Sequence, residues 1–320
     1  MSLAVSILDY LGRHATRFLA AGALLGLLVP QLATLARPLL ILGLVVPLII
    51  ALVRLDWGAI ARYAQRPALV AAIVAWMLVI SPALMWLALK LFDLPPALVQ
   101  ALVLMTAAAP IISCAALSLI MGLDAALAVV VVVASTALMP FSLPSVALAL
   151  LGLQIDIDLA TFMLRLALIV GGAFAAALAV RKFVPREKLA ANARVLDGAS
   201  VAILLIFILA IMDGVAAVAQ ARPGYVALVT LAAFVANIAL QALGALVALK
   251  LGARQALTVG FMTGNCNMGL VMVALADRAD FDVIVFFAMA QLPMYMLPAL
   301  LTPVYRRLLA APRGGEPTSK

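Results

Sequence analysis

Two short runs combine polar side chains with residues that break helices, and each lies inside a long apolar stretch. The first is Thr106-Ala107-Ala108-Ala109-Pro110-Ile111-Ile112-Ser113-Cys114, and the second is Thr263-Gly264-Asn265-Cys266-Asn267-Met268-Gly269. Pro110 lacks an N–H and clashes with the preceding turn, so the backbone is expected to open around residues 106–109. Gly264 and Gly269 flank three polar residues, Asn265, Cys266 and Asn267, a poor sequence for continuous helix in lipid. Irregular backbone at membrane depth is tolerated only where protein packs on it or where it lines a cavity. Half-helix N-termini exposed at such a break carry partial positive charge and favour anions. The chemistry these residues offer is recognition of a small anion through hydroxyl, amide and backbone N–H groups. No enzymatic activity and no cofactor are expected. Either break alone reads equally well as structure, because proline kinks and small-residue packing are routine in membrane helices.

Few other residues could do chemistry. His14 is the sole histidine, so a multi-histidine metal site is excluded. Cys114 and Cys266 show no CxxC spacing, which excludes a disulfide framework. Neither broken run holds a carboxylate of the kind that marks a proton relay. Asp124, Asp156, Asp213 and Asp277 fall at span ends, where solvation is the default, and Arg165 is expected to snorkel to the outer interface. Ser135-Thr136 and Gln291 each neighbour a proline and are the further candidates to line a cavity. Ser81, Gln100, Ser118, Asn237, Gln241 and Tyr295 are expected to make interhelical hydrogen bonds. The methionines at 262, 268, 272, 289, 294 and 296 read as adaptable packing.

The elements that must position these residues follow from composition. Of 320 residues 68% are apolar and 11% charged, with mean hydropathy +1.27. A soluble chain carries about 25% charged residues, so a soluble enzyme is excluded. At about 20 residues per span the apolar content supplies about ten spans. Long unbroken runs such as Leu123–Leu151 and Val195–Met212 exclude a membrane β-barrel. The spans read as 18–36, 38–55, 67–92, 96–122, 124–151, 158–180, 195–213, 224–249, 255–277 and 281–305, with Asp56–Arg66 as a short interfacial segment. The first is long enough to span and lacks a convincing cleavage site, unlike a signal peptide. Tight turns at Asp93-Leu94-Pro95-Pro96 and Met121-Gly122-Leu123-Asp124 make the third, fourth and fifth spans antiparallel neighbours.

Counted by side, 16 Lys and Arg lie with the termini and 4 lie opposite, which places both termini in the cytoplasm of an inner membrane. The net charge of +8 therefore serves orientation, and the expected partners are the lipid bilayer and a small organic anion, not nucleic acid. An internal repeat is visible. Arg66-Pro67-Ala68-Leu69-Val70 matches Arg222-Pro223-Gly224-Tyr225-Val226, Ala88-Leu89-Lys90-Leu91 matches Ala248-Leu249-Lys250-Leu251, and Met105-Thr106 matches Met262-Thr263. Five spans per copy is an odd number, so the second copy is inverted, as in carriers that work by alternating access. The organisation is a single all-α membrane domain over 1–320, with repeats at about 18–151 and 158–305 and a short basic cytoplasmic tail at 306–320. Both breaks fall at corresponding positions of the repeats.

At these motifs the chain resembles the bile acid–sodium symporter family. The carrying residues are Ala109-Pro110-Ile111-Ile112-Ser113-Cys114, Gly122-Leu123-Asp124, Ser135-Thr136-Ala137-Leu138-Met139-Pro140 and Gly264-Asn265-Cys266-Asn267-Met268-Gly269-Leu270. The resemblance implies ten transmembrane helices in two inverted five-helix repeats, with the fourth and ninth unwound and crossing. It implies a secondary carrier whose site is formed by Thr106, Pro110, Ser113, Cys114, Ser135, Thr136, Thr263, Gly264, Asn265, Cys266, Asn267 and Gln291. The positions where sodium-using members carry oxygen ligands align here with Met77, Ala115, Ala116, Ala128, Val132, Met262 and Cys266. Those side chains cannot ligate a hard cation, so a carrier without the usual sodium sites is expected. Three alternatives stay open: an arsenite-type exporter using Cys114, a sodium symporter with backbone carbonyl ligands, and a membrane sensor that does not transport.

Overall fold

The computed structural model describes residues 3–55, 58, 63, 65–152, 158–275 and 278–310, and its regular elements there are helices. Most of the interfacial segment expected at Asp56–Arg66, together with Asp156, Asp277 and the tail beyond Ala310, lies outside the described residues. Seven helices are long and apolar enough to cross a membrane: Pro30–Val53, Pro67–Leu89, Ala125–Leu151, Leu159–Phe183, Ala193–Ile211, Pro223–Val247 and Phe281–Ala310. The boundary expected at residue 37 between the first two spans lies instead at Val29, where Pro30 opens the continuous helix to Val53 and leaves Ala15–Leu28 as a shorter apolar helix, and the breaks divide the fourth and ninth expected spans into shorter helices.

In chain order, α1 (Leu3–Arg13) is an additional N-terminal helix that precedes α2 (Ala15–Leu28) and α3 (Pro30–Ala36). Next comes α4 (Leu40–Val53), and then α5 (Pro67–Leu89), which is widened to a π-turn at Trp76–Ile80. The widening has a cause in sequence, since Pro82 supplies no N–H to the Leu78 carbonyl and crowds it. The fourth expected span is two helices, α6 (Pro96–Ala107) and α7 (Cys114–Met121). Gly122, with φ +80°, ends α7 in the left-handed conformation that favours glycine, and Asp124 caps α8 (Ala125–Leu151) by accepting from Leu127 N at 3.0 Å. Then follow α9 (Leu159–Phe183), capped by Asp158, the short α10 (Arg186–Ala191), α11 (Ala193–Ile211) and α12 (Val215–Ala221). The ninth expected span is again two helices. After α13 (Pro223–Val247) come α14 (Ala253–Gly264) and α15 (Met268–Leu275), and the chain closes with α16 (Phe281–Met289) and α17 (Gln291–Ala310).

These elements share one core, in which Phe207, Phe261, Phe286 and Phe287 are fully buried. α11 packs against α1, α2 and α4. α4 runs antiparallel to it, with Arg54 paired to Asp197 at one end and Arg37 to Asp213 at 2.9 Å at the other. α9 packs on α4 and α8, while α17 packs on α2. The α5–α6 and α13–α14 pairs form hairpins, α8 packs on α6 and α14, and α16 packs on α6 and α13. Asp124 and Asp213 stand at helix ends as expected, yet both are engaged, Asp124 by Tyr63 and Asp213 by Arg37 and Thr34.

The outer surface carries apolar stripes at helical spacing, including Leu164 and Leu168 on α9 and Leu231 and Val235 on α13, each more than half exposed. An apolar surface of this extent needs lipid as its solvent. This is an integral membrane protein.

Candidate functional site

α6 ends at Ala107 because Ala108 turns extended (ψ 145°), and α14 ends at Gly264 because Asn265 leaves the helix (φ −105°, ψ 70°). The two interruptions meet. Ile111 N donates to Asn265 O at 2.8 Å and Asn267 N donates to Ala109 O at 2.7 Å, which forms a single antiparallel bridge between Pro110 and Cys266. In this pattern the bonds are made by the flanking residues, so the missing N–H of Pro110 is not needed. Proline thus ends the helix and still leaves the bridge intact. Four backbone groups released by the breaks are satisfied where water is scarce.

Side chains then hold the bridge. Asn267 caps α15, its Oδ1 accepting from Leu270 N at 3.3 Å, and this leaves its Nδ2 pointing away from the cap. Asn265 Nδ2 donates to Phe261 O at 2.7 Å, while its Oδ1 is buried with no partner among the described residues. Cys266 Sγ donates to Thr263 O at 3.3 Å and Cys114 Sγ lies 3.9 Å from Asn265 O, so both thiols serve as weak donors to carbonyls.

A buried relay backs the second break. Tyr305 OH donates to Gln241 Oε1 (2.6 Å), Gln241 Nε2 to Asn237 Oδ1 (2.5 Å), and Asn237 Nδ2 to Gly264 O (2.7 Å). A carbonyl can only accept, so Gly264 O fixes the orientation of both amides in turn. On another side Trp76 Nε1 donates to Thr263 Oγ1 at 3.1 Å, and that hydroxyl donates to Val259 O.

The structure therefore brings Pro110, Cys114, Thr263, Gly264, Asn265, Cys266 and Asn267 together. Ser113 is adjacent in sequence and exposed, and its side chain makes no cap hydrogen bond at the start of α7, although its carbonyl accepts from Leu117 N. Thr106 and Ser135 turn their donors onto their own helices, at Val103 O and Val131 O, Gln291 donates back to Phe287 O at the end of α16, and Thr136 is buried on α8. Asn237 and Gln241 make the interhelical bonds expected of them. Ser81 and Ser118 do not, because their buried hydroxyls have no partner among the described residues, and Gln291 bonds only within its own chain segment. Trp76 and Tyr305 were not foreseen. The available signal was that a buried indole N–H or phenol needs an acceptor. Of the methionine stripe, five side chains are buried and Met296 is 37% exposed.

The profile of the sodium bile acid symporter family matches residues 41–222, more than half of the chain. The protein belongs to this family. Among curated proteins none matches the chain. Family membership makes it a transporter of the bile acid symporter type. The matched region includes the first break and ends where α13 begins. Of the positions where the resemblance leads one to expect sodium ligands, Met77, Ala128, Val132, Met262 and Cys266 are buried, Ala115 is half-buried and Ala116 is exposed. Among the described residues no group of three or more His, Cys, Asp or Glu could hold a metal ion.

Proposed function

We propose that this protein is a sodium-independent secondary carrier of a small organic anion, working by alternating access around the Pro110–Cys266 bridge. The bridge carries the reading, because it joins two helix breaks at repeat-equivalent positions. Ten spans in two inverted repeats, with the fourth and ninth crossing, account for the packing. α2 on α11 corresponds to α9 on α4, and α17 on α2 to α8 on α9. A further repeat match supports this: Asp124 and Asp280, 156 residues apart, each accept from a backbone N–H at the start of their helix. The anion would be met by Ser113, by the Nδ2 of Asn267, which has no hydrogen bond among the described residues, and by the N-terminal N–H groups of α7 and α15. Asn265 Oδ1 adds a demand of its own, for a donor from water or from a hydroxyl or amine on the same substrate.

Sodium independence rests on the side chains at the positions that the family resemblance aligns with sodium ligands, which carry no oxygen. The charge bias of 16 to 4 supports termini on the cytoplasmic side of an inner membrane.

The test is thermal unfolding of the purified chain in sodium, potassium and choline chloride at equal ionic strength, followed by a panel of organic anions. A ligand specific to the folded state stabilises by about 2.7 kcal/mol at a hundredfold excess over Kd. Equal melting in the three salts with a rise for one anion class is expected. A sodium-specific rise overturns the sodium-independent carrier.

A further inference from the structure

At the second break one acceptor and one donor stand next to each other without partners. Asn265 is fully buried, and its Nδ2 donates to Phe261 O at 2.7 Å. A carbonyl only accepts, so this bond fixes the orientation of the amide and leaves Oδ1 as a buried acceptor with no partner among the described residues. The next residue, Cys266, is 3% exposed, and its backbone N–H makes no hydrogen bond among the described residues. The bridge explains why. In an antiparallel pair whose bonds are made by the flanking residues, the pair's own N–H and C=O groups point away from the partner strand. Cys266 O finds a donor there in Met268 N at 3.0 Å, while the N–H of Cys266 finds no acceptor. A buried N–H left in this way is rare in folded proteins.

Five covalent bonds join Asn265 Oδ1 to Cys266 N, so the two atoms are at most about 6 Å apart. A single oxygen at about 2.9 Å from each can reach both. That oxygen must donate to Oδ1 and accept from the N–H, which a hydroxyl does and an ammonium cannot. Asn267, whose Nδ2 is assigned to the anion, is two residues further along, a chain distance of at most about 7 Å. We infer that the substrate is a hydroxylated organic anion, its hydroxyl within a few atoms of the carboxylate or sulfonate, and that Asn265 and the Cys266 N–H select for that hydroxyl. This inference rests on the carrier reading above and narrows its substrate class.

The test takes half-saturation from thermal unfolding of the full chain in lipid nanodiscs, with three anion pairs that differ by one hydroxyl: lactate and propionate, mandelate and phenylacetate, malate and succinate. In the wild type the hydroxylated member of a binding pair should half-saturate about tenfold lower than its partner. In Asn265→Leu and in the smaller Asn265→Ala that ratio should fall to near one. Equal half-saturation within every binding pair of the wild type overturns the inference and leaves the carrier reading standing, with water meeting the two groups. A preference that persists in the variants overturns the assignment to Asn265. No rise in Tm with any of the six anions overturns the organic-anion reading and this inference together.

Discussion

The phenol of Tyr63 donates to the carboxylate of Asp124 at 2.6 Å, tying the approach to α5 to the start of α8. Around this pair Gln255 Nε2 donates to Tyr63 OH at 3.2 Å, Asp124 N donates to Thr258 Oγ1 at 2.9 Å, and Arg254 donates to Leu123 O at 3.1 Å. The beginnings of α8 and α14 are therefore latched together at one end of the molecule. Burial above all, then the hydrogen bond and charge of Asp124, push the Tyr63 phenol above its ordinary value. The protonated phenol is the donor, and its folded value exceeds the unfolded one. Its stabilisation is thus complete below about pH 10 and is lost as pH rises through the folded value. In thermal unfolding from about pH 8 to about pH 11, Tyr63→Phe should start about 1 kcal/mol lower and then converge on the wild type. Parallel curves would show that the latch contributes nothing.

Where α13 meets α14, glycines allow the backbones to touch. A Cβ on Gly264 would lie 2.6 Å from Asn237 O and 2.5 Å from Gln241 Cγ, and one on Gly260 would strike Gln241 O and stand 2.9 Å from Ala245 N. Backbone cannot yield as a side-chain tip can. Gly260→Ala and Gly264→Ala should each destabilise by at least the 1–3 kcal/mol typical of overpacking, roughly. Gly224→Ala, whose Cβ would meet nothing within 4 Å, should leave Tm unchanged or slightly raised. Equal Tm values for all three variants would contradict this packing.

Much of this was legible in the residues. The long apolar runs marked the spans, and Pro110 and the Gly264–Gly269 run marked both breaks to within a few residues, because missing donors and glycine act locally. The bridge between the breaks was not legible, since a single pair such as Ala109 and Asn267 leaves no strand pattern. α1 was missed as well. It is only 11 residues long, and its buried Asp9 makes sense only once Arg13 and Arg194 are seen beside it. The relay from Tyr305 to Gly264 joins residues up to 68 apart that no local rule connects.

Removing members of that relay strands different numbers of buried groups. Tyr305→Phe leaves only Gln241 Oε1 without its donor, whereas Asn237→Leu strands both Gly264 O and the Gln241 amide. A buried polar group left unpaired costs about 1–3 kcal/mol. Chemical or thermal unfolding should therefore rank Asn237→Leu below Tyr305→Phe, and both below the wild type. The opposite order would mean that the bond from Asn237 to Gly264 O contributes less than the bond from Tyr305 to Gln241, and that the relay does not serve to back the break.

Asn267 allows binding to be separated from folding. Its Oδ1 caps α15 through Leu270 N, and its Nδ2 is the group assigned to the anion. Asn267→Asp keeps an oxygen at the cap, where a negative charge also suits the helix dipole, so stability should be held or raised by about 0.3–1 kcal/mol. The same substitution replaces the donor with a repelling carboxylate. Uptake of the anion into proteoliposomes should then fall at least tenfold, while Asn267→Ala should lose about 1 kcal/mol of stability with a smaller loss of uptake. If Asn267→Asp transports as the wild type does, the anion is not met at this residue, and the substrate site must be sought elsewhere along the bridge.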